Sequence, residues 1–568
     1  VTAVRNSALI RATASSGAGS ATAIVDHSGT LVTVDNAGTI TATGATAGSG
    51  RNIAIDLSAN TSGATVRQTA VAADVTAPSI NGDIKLGSGN DLLDIADGQF
   101  TGQAIFGDGN NSFALSGDAI ASGGATFGAG NDSMTLAGGT RYTGTVDFGG
   151  GTDTLTLSGT AYFTGSFANS GGLGVALNGG TLDLAKGTIA LRSLSIGSSG
   201  VLGVTLDSSN HSSTLFQVSD DASFAAGAKI KVTLTGLASA EGRYTFLQAG
   251  TVTGTANLAT ADSVLPYMFK SSIVATAPTT LAIDITRKTT TELGLNRSQA
   301  TAYNAIYQAI TKDTEVAGVF LNTVDGDTFR KQVRAMLPDH AGGTFEMVTM
   351  GSRALSGFLA DPTAPYVDKG GWAFRMLQAG WGRTKSLGNT AAYDVSGWGI
   401  GGAGEIKTKM GAFGLSLAYL FGTDDDGGTP NKVDAKQIEA SLYWHGSWGG
   451  LSAWAKGAIG QIDFTGKRTF SGAIGTQTIE RHARGSWNGR LMSAAGGASY
   501  EMYFGAFSLR PVLAFDYYRM REGGYTEKGG GDAFNLTVSR RTSDEFAVSG
   551  TVAAGIEFGG EDDDSGWL

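Results

Sequence analysis

Hydrophobic and polar positions follow three different rhythms along the chain, and the changes of rhythm divide it. From Val1 to about Thr280, short runs rich in Thr, Val, Leu and Ile are broken by Gly, Asn, Asp and Ser, and no aromatic residue precedes Phe100. Such runs predict many short strands joined by tight turns. Between positions 287 and 361 the apolar period lengthens to that of an amphipathic helix. Asn296 and Gln299 have capping-box spacing ahead of an apolar stripe at Ala302, Tyr303, Ile306, Ala309 and Ile310. Further helices are predicted over 328–337, before Pro338, and over 344–359, where Met347, Met350, Leu355 and Phe358 mark a packing side.

After Gly370 alternation returns in longer runs. Ile438, Ala440, Leu442 and Trp444 interleave with Gln437, Glu439, Ser441, Tyr443 and His445; Leu509, Pro511, Leu513, Phe515 and Tyr517 interleave with Arg510, Val512, Ala514 and Asp516. Trp372, Trp381, Trp398, Trp444, Trp448 and Trp454 gather near the predicted strand ends. Long amphipathic strands rimmed by aromatics fit an antiparallel transmembrane β-barrel, with the apolar set toward lipid. The lumenal face would then carry Gln437, Glu439, Tyr443, His445, Arg510 and Asp516. Strands are expected at 371–383, 391–404, 409–421, 435–448, 450–464, 484–501, 503–518, 531–542 and 545–558. An odd count, followed by Gly-Gly-Glu-Asp-Asp-Asp, reads as a barrel lacking its final strands.

The first region contains an internal repeat. Gly87-x-Gly89-Asn-Asp91, Gly107-x-Gly109-Asn-Asn111, Gly128-x-Gly130-Asn-Asp132 and Gly149-x-Gly151-Thr-Asp153 recur at offsets of 20, 21 and 21 residues. Each is followed by the same alternating pair: Leu93/Ile95, Phe113/Leu115, Met134/Leu136 and Leu155/Leu157. A unit of this length is one coil of a solenoid, which buries its apolar face only when neighbours stack on it. The fold class expected overall is mainly β: an N-terminal right-handed parallel β-helix (1–280, denser and strand-rich from about 220), a helical connector (281–370) and the barrel (371–568).

Composition narrows the function. Among 568 residues there are 87 Gly and no Cys, which excludes disulfides and thiolate metal sites. Forty Lys and Arg against 50 Asp and Glu, with no basic tract, argue against nucleic acid. A mean hydropathy of 0.00 and the absence of a long apolar run exclude helical membrane spans, but say nothing against strands that only alternate. The Gly-x-Gly blocks resemble fragments of a calcium-binding nonapeptide, yet their spacing is twice as long and the second block has Asn111 in place of a carboxylate. They are read as a structural turn ladder with no cofactor and no metal. His27 and His211 sit in no metal or triad spacing, so no catalytic residue is assigned.

After Gly370 come Gly380-Trp381-Gly382-Arg383, Tyr393-Asp394-Val395-Ser396-Gly397, Gly411-Ala412-Phe413-Gly414-Leu415-Ser416-Leu417-Ala418-Tyr419, Gly485-Ser486-Trp487-Asn488-Gly489-Arg490, Leu509 to Tyr517, and Arg521 to Thr526. In these the region resembles the classical (type V) monomeric autotransporters of Gram-negative bacteria. The resemblance implies an outer-membrane barrel of 12 strands with a helix in its lumen, for which 344–359 is the match. It also implies a passenger exported to the cell surface and partnership with outer-membrane lipid and the barrel-assembly machinery. The 220–280 stretch would be the passenger's membrane-proximal folding region. The passenger, with few charges, is expected to serve as an adhesin contacting a host or neighbouring-cell ligand, or as a scaffold. The alternatives are a surface hydrolase and a soluble polysaccharide-binding β-helix.

Overall fold

Three rows of short parallel strands wind through the first part of the chain. One row runs through Thr33–Asn36, Thr65–Gln68, Leu92–Ile95, Ser112–Leu115, Ser133–Leu136 and Asp153–Leu157; a second includes Thr39–Thr43, Ser79–Asn81, Gln99–Thr101 and Ile120–Ser122; a third includes Asn52–Asp56, Asp83–Lys85, Ala104–Gly107 and Ala125–Phe127. The computed structural model describes residues 1–260, 265–337, 342–360, 367–369, 371–558 and 566–567. Val1–Lys288 and Thr289–Leu568 form separate compact units.

The repeat register in the sequence is the register in space. Leu93, Phe113, Met134, Leu155 and Val175 pair in succession, and all are buried. Inside, Phe106 stacks on Phe127 at 4.6 Å between ring centroids, and Tyr142 on Phe163 at 4.9 Å. Aromatic stacking adds to area burial, so each coil is stabilised mainly by its neighbours. Towards the N-terminus the coils lengthen: Thr33 pairs with Ala3 and Thr65 with Thr33.

Parallel stacking ends at Gly242–Thr253, which pairs antiparallel with Thr280–Arg287; that strand pairs in turn with Phe269–Ala277. Tyr244, Phe246, Ile283 and Ile285 are buried beneath this meander. It covers an end of the stack that would otherwise offer a free strand edge. Its last strand runs past the boundary at 280 expected from the sequence.

The second unit opens with helices α1 (Arg297–Ile310), α2 (Thr314–Leu321), α3 (Gly326–Ala335) and α4 (Gly343–Ala360). The Asn296 side chain accepts from the Gln299 N–H at 2.9 Å, and Gln299 returns the bond to Asn296 at 3.0 Å. Helix α2 has no counterpart in the sequence reading. With eight residues it is too short to show a period, and Asp313 starts it by accepting from the Glu315 and Val316 amides.

Eight long strands follow: β1 (Trp372–Lys385), β2 (Tyr393–Thr408), β3 (Gly411–Asp425), β4 (Lys432–Trp448), β5 (Leu451–Ile474), β6 (Gln477–Tyr500), β7 (Phe507–Glu522) and β8 (Arg541–Phe558). They form one antiparallel sheet in chain order. Among the described residues β1 and β8 do not pair with each other. Of the ninth strand expected at 531–542 only Thr537–Val538 is extended and paired, with Tyr525–Thr526 in a separate two-stranded sheet. Gly529 and Gly531 take φ of 97° and 75°, and the chain turns into a short helix α5 (Gly531–Phe534). There Phe534 is buried against Phe470. The alternation of Phe534, Leu536 and Val538 with polar residues reflects packing of this loop. The hairpin of β5 and β6 is also longer than expected, 24 residues in each arm. A tilted membrane strand needs only about 9–11 residues, so the arms continue past the apolar band and carry Phe470, which stacks on Phe320 of α2 at 5.8 Å.

Candidate functional site

Strand alternation gives the sheet two chemically opposite faces. Phe374, Met376, Ile400, Leu415, Leu417, Ile438, Leu442, Ile459, Leu513 and Phe515 are exposed on one, far more apolar surface than a water-facing sheet presents. Trp372, Trp398 and Trp448 are exposed on that side too. Trp381 does not join them. It is on the inner face, where its ring lies 2.9 Å from where a Cβ on Gly351 of α4 would sit. The glycine lets helix and indole approach, a relation visible only once α4 is in place.

Helix α4 packs on the inner face. Met347 and Val348 join Val395, Val433, Ile462, Leu491 and Met520; Leu355 and Leu359 join Leu377, Ala418, Leu420 and Tyr443. Polar bonds fix its height and rotation. Lys456 donates to the Ser352 carbonyl at 3.2 Å, Thr344 donates to Asp424 at 3.2 Å, and Arg353 pairs with Glu545 at 3.3 Å and Asp516 at 3.5 Å.

The six residues expected to line the lumen all lie on this inner face, five of them in separate networks. Gln437 donates to Glu439 at 3.0 Å, and Glu439 pairs with Lys456 at 2.7 Å. Tyr443 and His445 converge on Glu405, at 3.1 and 3.0 Å, with Arg375 at 3.5 Å from the same carboxylate. Asp516 accepts from Tyr518 at 3.3 Å and faces Arg353. Arg510 is half-buried on the same face of β7 but takes part in none of these networks. The sequence reading missed Arg375, Glu405, Lys456 and Arg353. The first three are single charges between apolar or glycine neighbours, in phase with the inner face, and that phase was the signal available.

Beyond α4 a fourth network ties the loops. Arg468 makes a two-pronged pair with Glu527 at 2.8 and 2.7 Å and donates to the Ala335 carbonyl at 3.2 Å. Arg481 binds Asp313 at 2.9 Å and Glu315 at 2.6 Å, anchoring the start of α2. These groups position and neutralise one another. Among the described residues no three His, Asp or Glu side chains are placed to hold a metal. His27 and His211 are both exposed, in different coils, and His340 is outside the described residues.

The predicted turn-ladder residues occupy equivalent turns of successive coils. Gly107, Gly109, Gly130, Gly149 and Gly151 have positive φ, whereas Gly87, Gly89 and Gly128 are held by close approach. A Cβ on Gly87 would be 1.6 Å from the Asn60 carbonyl oxygen, one on Gly89 2.0 Å from the Gly63 nitrogen, and one on Gly128 2.1 Å from the Gly107 oxygen. Asp91, Asn111, Asp132 and Asp153 form a buried column along these turns.

An exposed apolar band on one face, and buried charges with a docked helix on the other, invert the usual plan of a soluble sheet. Residues 374–567 match the family model for the autotransporter beta-domain. The chain carries an autotransporter β-domain. Among solved structures, the translocator domain of autotransporter NalP from Neisseria meningitidis is similar at 17% identity, covering 38% of this chain and 71% of that one, with a TM-score of 0.29. No curated protein matches the sequence. The β-domain belongs to type V secretion: it lies in the outer membrane and serves translocation of a passenger to the cell surface.

The lipid-facing assignment has a direct check. Leu417→Arg, near the middle of β3, is expected to cost about 2–4 kcal/mol of folding stability in bilayers. Unfolding in urea from lipid vesicles measures it, and a cost below about 0.5 kcal/mol would mean that this face does not meet hydrocarbon.

Proposed function

We propose that residues 1–280 are the displayed passenger and that it works by contact, as an adhesin or surface scaffold, with no reaction of its own. The observation that carries this reading is the uninterrupted stack: strand rows continue from the N-terminus to the closing meander, giving a long, regular side for a partner on a host or neighbouring cell. Within the same proposal, the meander at about 220–280 is the membrane-proximal folding region, and stacking outside the cell disfavours return. Residues 281–370 connect to the barrel, 371–568, with α4 as the lumenal helix. Outer-membrane lipid meets the exposed apolar face, and the barrel-assembly machinery inserts the domain.

The test is protease and antibody access on intact cells expressing the full chain. Antibody raised against 1–280 should label unpermeabilised cells, and external protease should remove that epitope while leaving a detergent-extracted fragment containing 371–558. Labelling that requires permeabilisation would defeat display. Adhesion is read separately, as binding of the cells to host cells or to one another. Surface labelling with no gain in binding over cells displaying the β-domain alone would defeat the adhesin reading and leave the scaffold.

A further inference from the structure

The buried column of Asp91, Asn111, Asp132 and Asp153 has a chemical asymmetry that display does not explain. All four residues are at most 2% exposed. Each accepts, through Oδ1, a backbone N–H from the preceding coil: Ala64 to Asp91 at 2.6 Å, Asp91 to Asn111 at 3.0 Å, Asn111 to Asp132 at 2.7 Å and Asp132 to Asp153 at 2.9 Å. Asn111 shows what the other side-chain atom does. Its Nδ2 donates to the Gly109 carbonyl at 3.1 Å and reaches the Gly107 carbonyl at 3.4 Å. In the three aspartates the corresponding atom is Oδ2, which is buried and has no hydrogen-bond partner. An ionised carboxylate can only accept, so an Oδ2 buried there with no donor would be an unsatisfied charge. A carboxylic acid has one O–H and can donate as the Asn111 amide does.

We propose that Asp91, Asp132 and Asp153 carry protons in the folded stack, so that the column is a proton-binding spine that tightens these coils in acid and loosens them towards neutral pH. Few charged groups face it. Asp132 and Asp153 face each other from adjacent coils, and Arg192 lies near Asp153 while donating through Nε to the Gly172 carbonyl at 3.3 Å. The Gly87 amide at Asp91 and the Asn111 side chain at Asp132 favour the charged form, and burial outweighs both. Asp108 and Asp147, on the same turns, are engaged at the exposed side by the Ala129 and Gly149 amides.

Burial, the dominant influence, pushes the Asp91 and Asp132 carboxyls up from 3.8 to about 6 and raises Asp153 as well; the Asp153 charge adds to the rise at Asp132. A folded-state value above the unfolded one gives stabilisation that is complete below the unfolded value and is lost as pH rises through the folded value. Between about pH 5 and about pH 7.5, Asp91 and Asp132 should each weaken closure of the coils by about tenfold.

Hydrogen–deuterium exchange on the full chain in detergent, resolved to peptides from 87–157 and corrected for intrinsic exchange, tests this. Wild type should lose at least about tenfold protection between the two pH values. The double variant Asp132→Asn/Asp153→Asn should lose less, retaining at about pH 7.5 most of its acid-state protection, and Asn111→Asp should lose more than wild type. Equal protection of wild type at both pH values would overturn the proposal, as would an unchanged pH dependence in the double variant. So would loss of protection at both pH values in that variant, because an amide should replace a protonated acid. Calcium chloride restoring the wild type at about pH 7.5 would also overturn it, showing a cation in the proton's place.

Discussion

Gly151→Ala is expected to destabilise the coil stack by about 3–5 kcal/mol, a large part of what holds a domain folded. The added Cβ would sit 1.7 Å from the Gly130 carbonyl oxygen, at a φ of 118° that L-residues rarely adopt. Overpacking costs about 1–3 kcal/mol and a strained backbone about 1–3 kcal/mol more. Relief is not local, because the obstructing oxygen belongs to the preceding coil, where a Cβ on Gly130 would in turn stand 2.1 Å from the Gly109 oxygen. Gly150→Ala is the control. That position has open space around its Cβ and no positive φ, so the change should stay within about 0.5 kcal/mol. Urea midpoints for protease resistance of the coils compare the two variants, and coincident midpoints would refute this account of the turns.

That contrast also shows how much of the first unit could be read from sequence. The row through Leu93, Phe113, Met134 and Leu155 was legible because a fixed repeat length sets a fixed register and apolar side chains mark its phase. The other two rows were not. Strands such as Ser79–Asn81 and Ala125–Phe127 have three residues, too few for alternation to stand out from the turns beside them. Which glycines tolerate a side chain depends on a carbonyl about 20 residues away; the repeat separates Gly150, whose equivalents are Ser88, Asp108 and Ala129, from Gly151, but the cause of the difference is seen only in the stacked coils.

In the second unit alternation identified the two faces of the sheet, since hydrocarbon imposes a single rule on every outward residue. Inward residues obey no such rule. Their partners come from α4 and from neighbouring strands: Asp516 meets Arg353, and His445 meets Glu405 across 40 positions. The error at 531–542 has the same origin. Phe534, Leu536 and Val538 alternate like a strand, but three consecutive glycines and the Arg468–Glu527 pair keep that segment out of the main sheet, with Glu527 accepting from the Leu536 amide at 3.0 Å.

Lys456→Met should destabilise the β-domain by about 3–5 kcal/mol, the range for breaking a buried ion pair by removing one partner. Lys456 and Glu439 are each 1% exposed, with 2.7 Å between Nζ and Oε1. Without the ammonium, Glu439 keeps only the Gln437 amide at 3.0 Å, and the Ser352 carbonyl of α4 loses its donor. The cost therefore lies in the charge left behind, not in the net strength of the pair. Two measurements separate these. In Lys456→Met/Glu439→Leu no charge remains, and stability should return to within about 1–2 kcal/mol of wild type, because well-packed apolar groups replace buried ion pairs at little cost. Lys432→Ala breaks the more exposed pair with Asp434 and should change stability by less than about 1 kcal/mol. Urea unfolding in detergent, followed by tryptophan fluorescence, ranks the three variants, while hydrogen exchange over 347–359 reports whether α4 remains docked. The expected order is Lys456→Met far below the others, with faster exchange in α4. If the double variant proved as unstable as the single one, the loss would come from packing around Lys456, and the Glu439–Lys456 pair would not be what fixes the helix inside the β-domain.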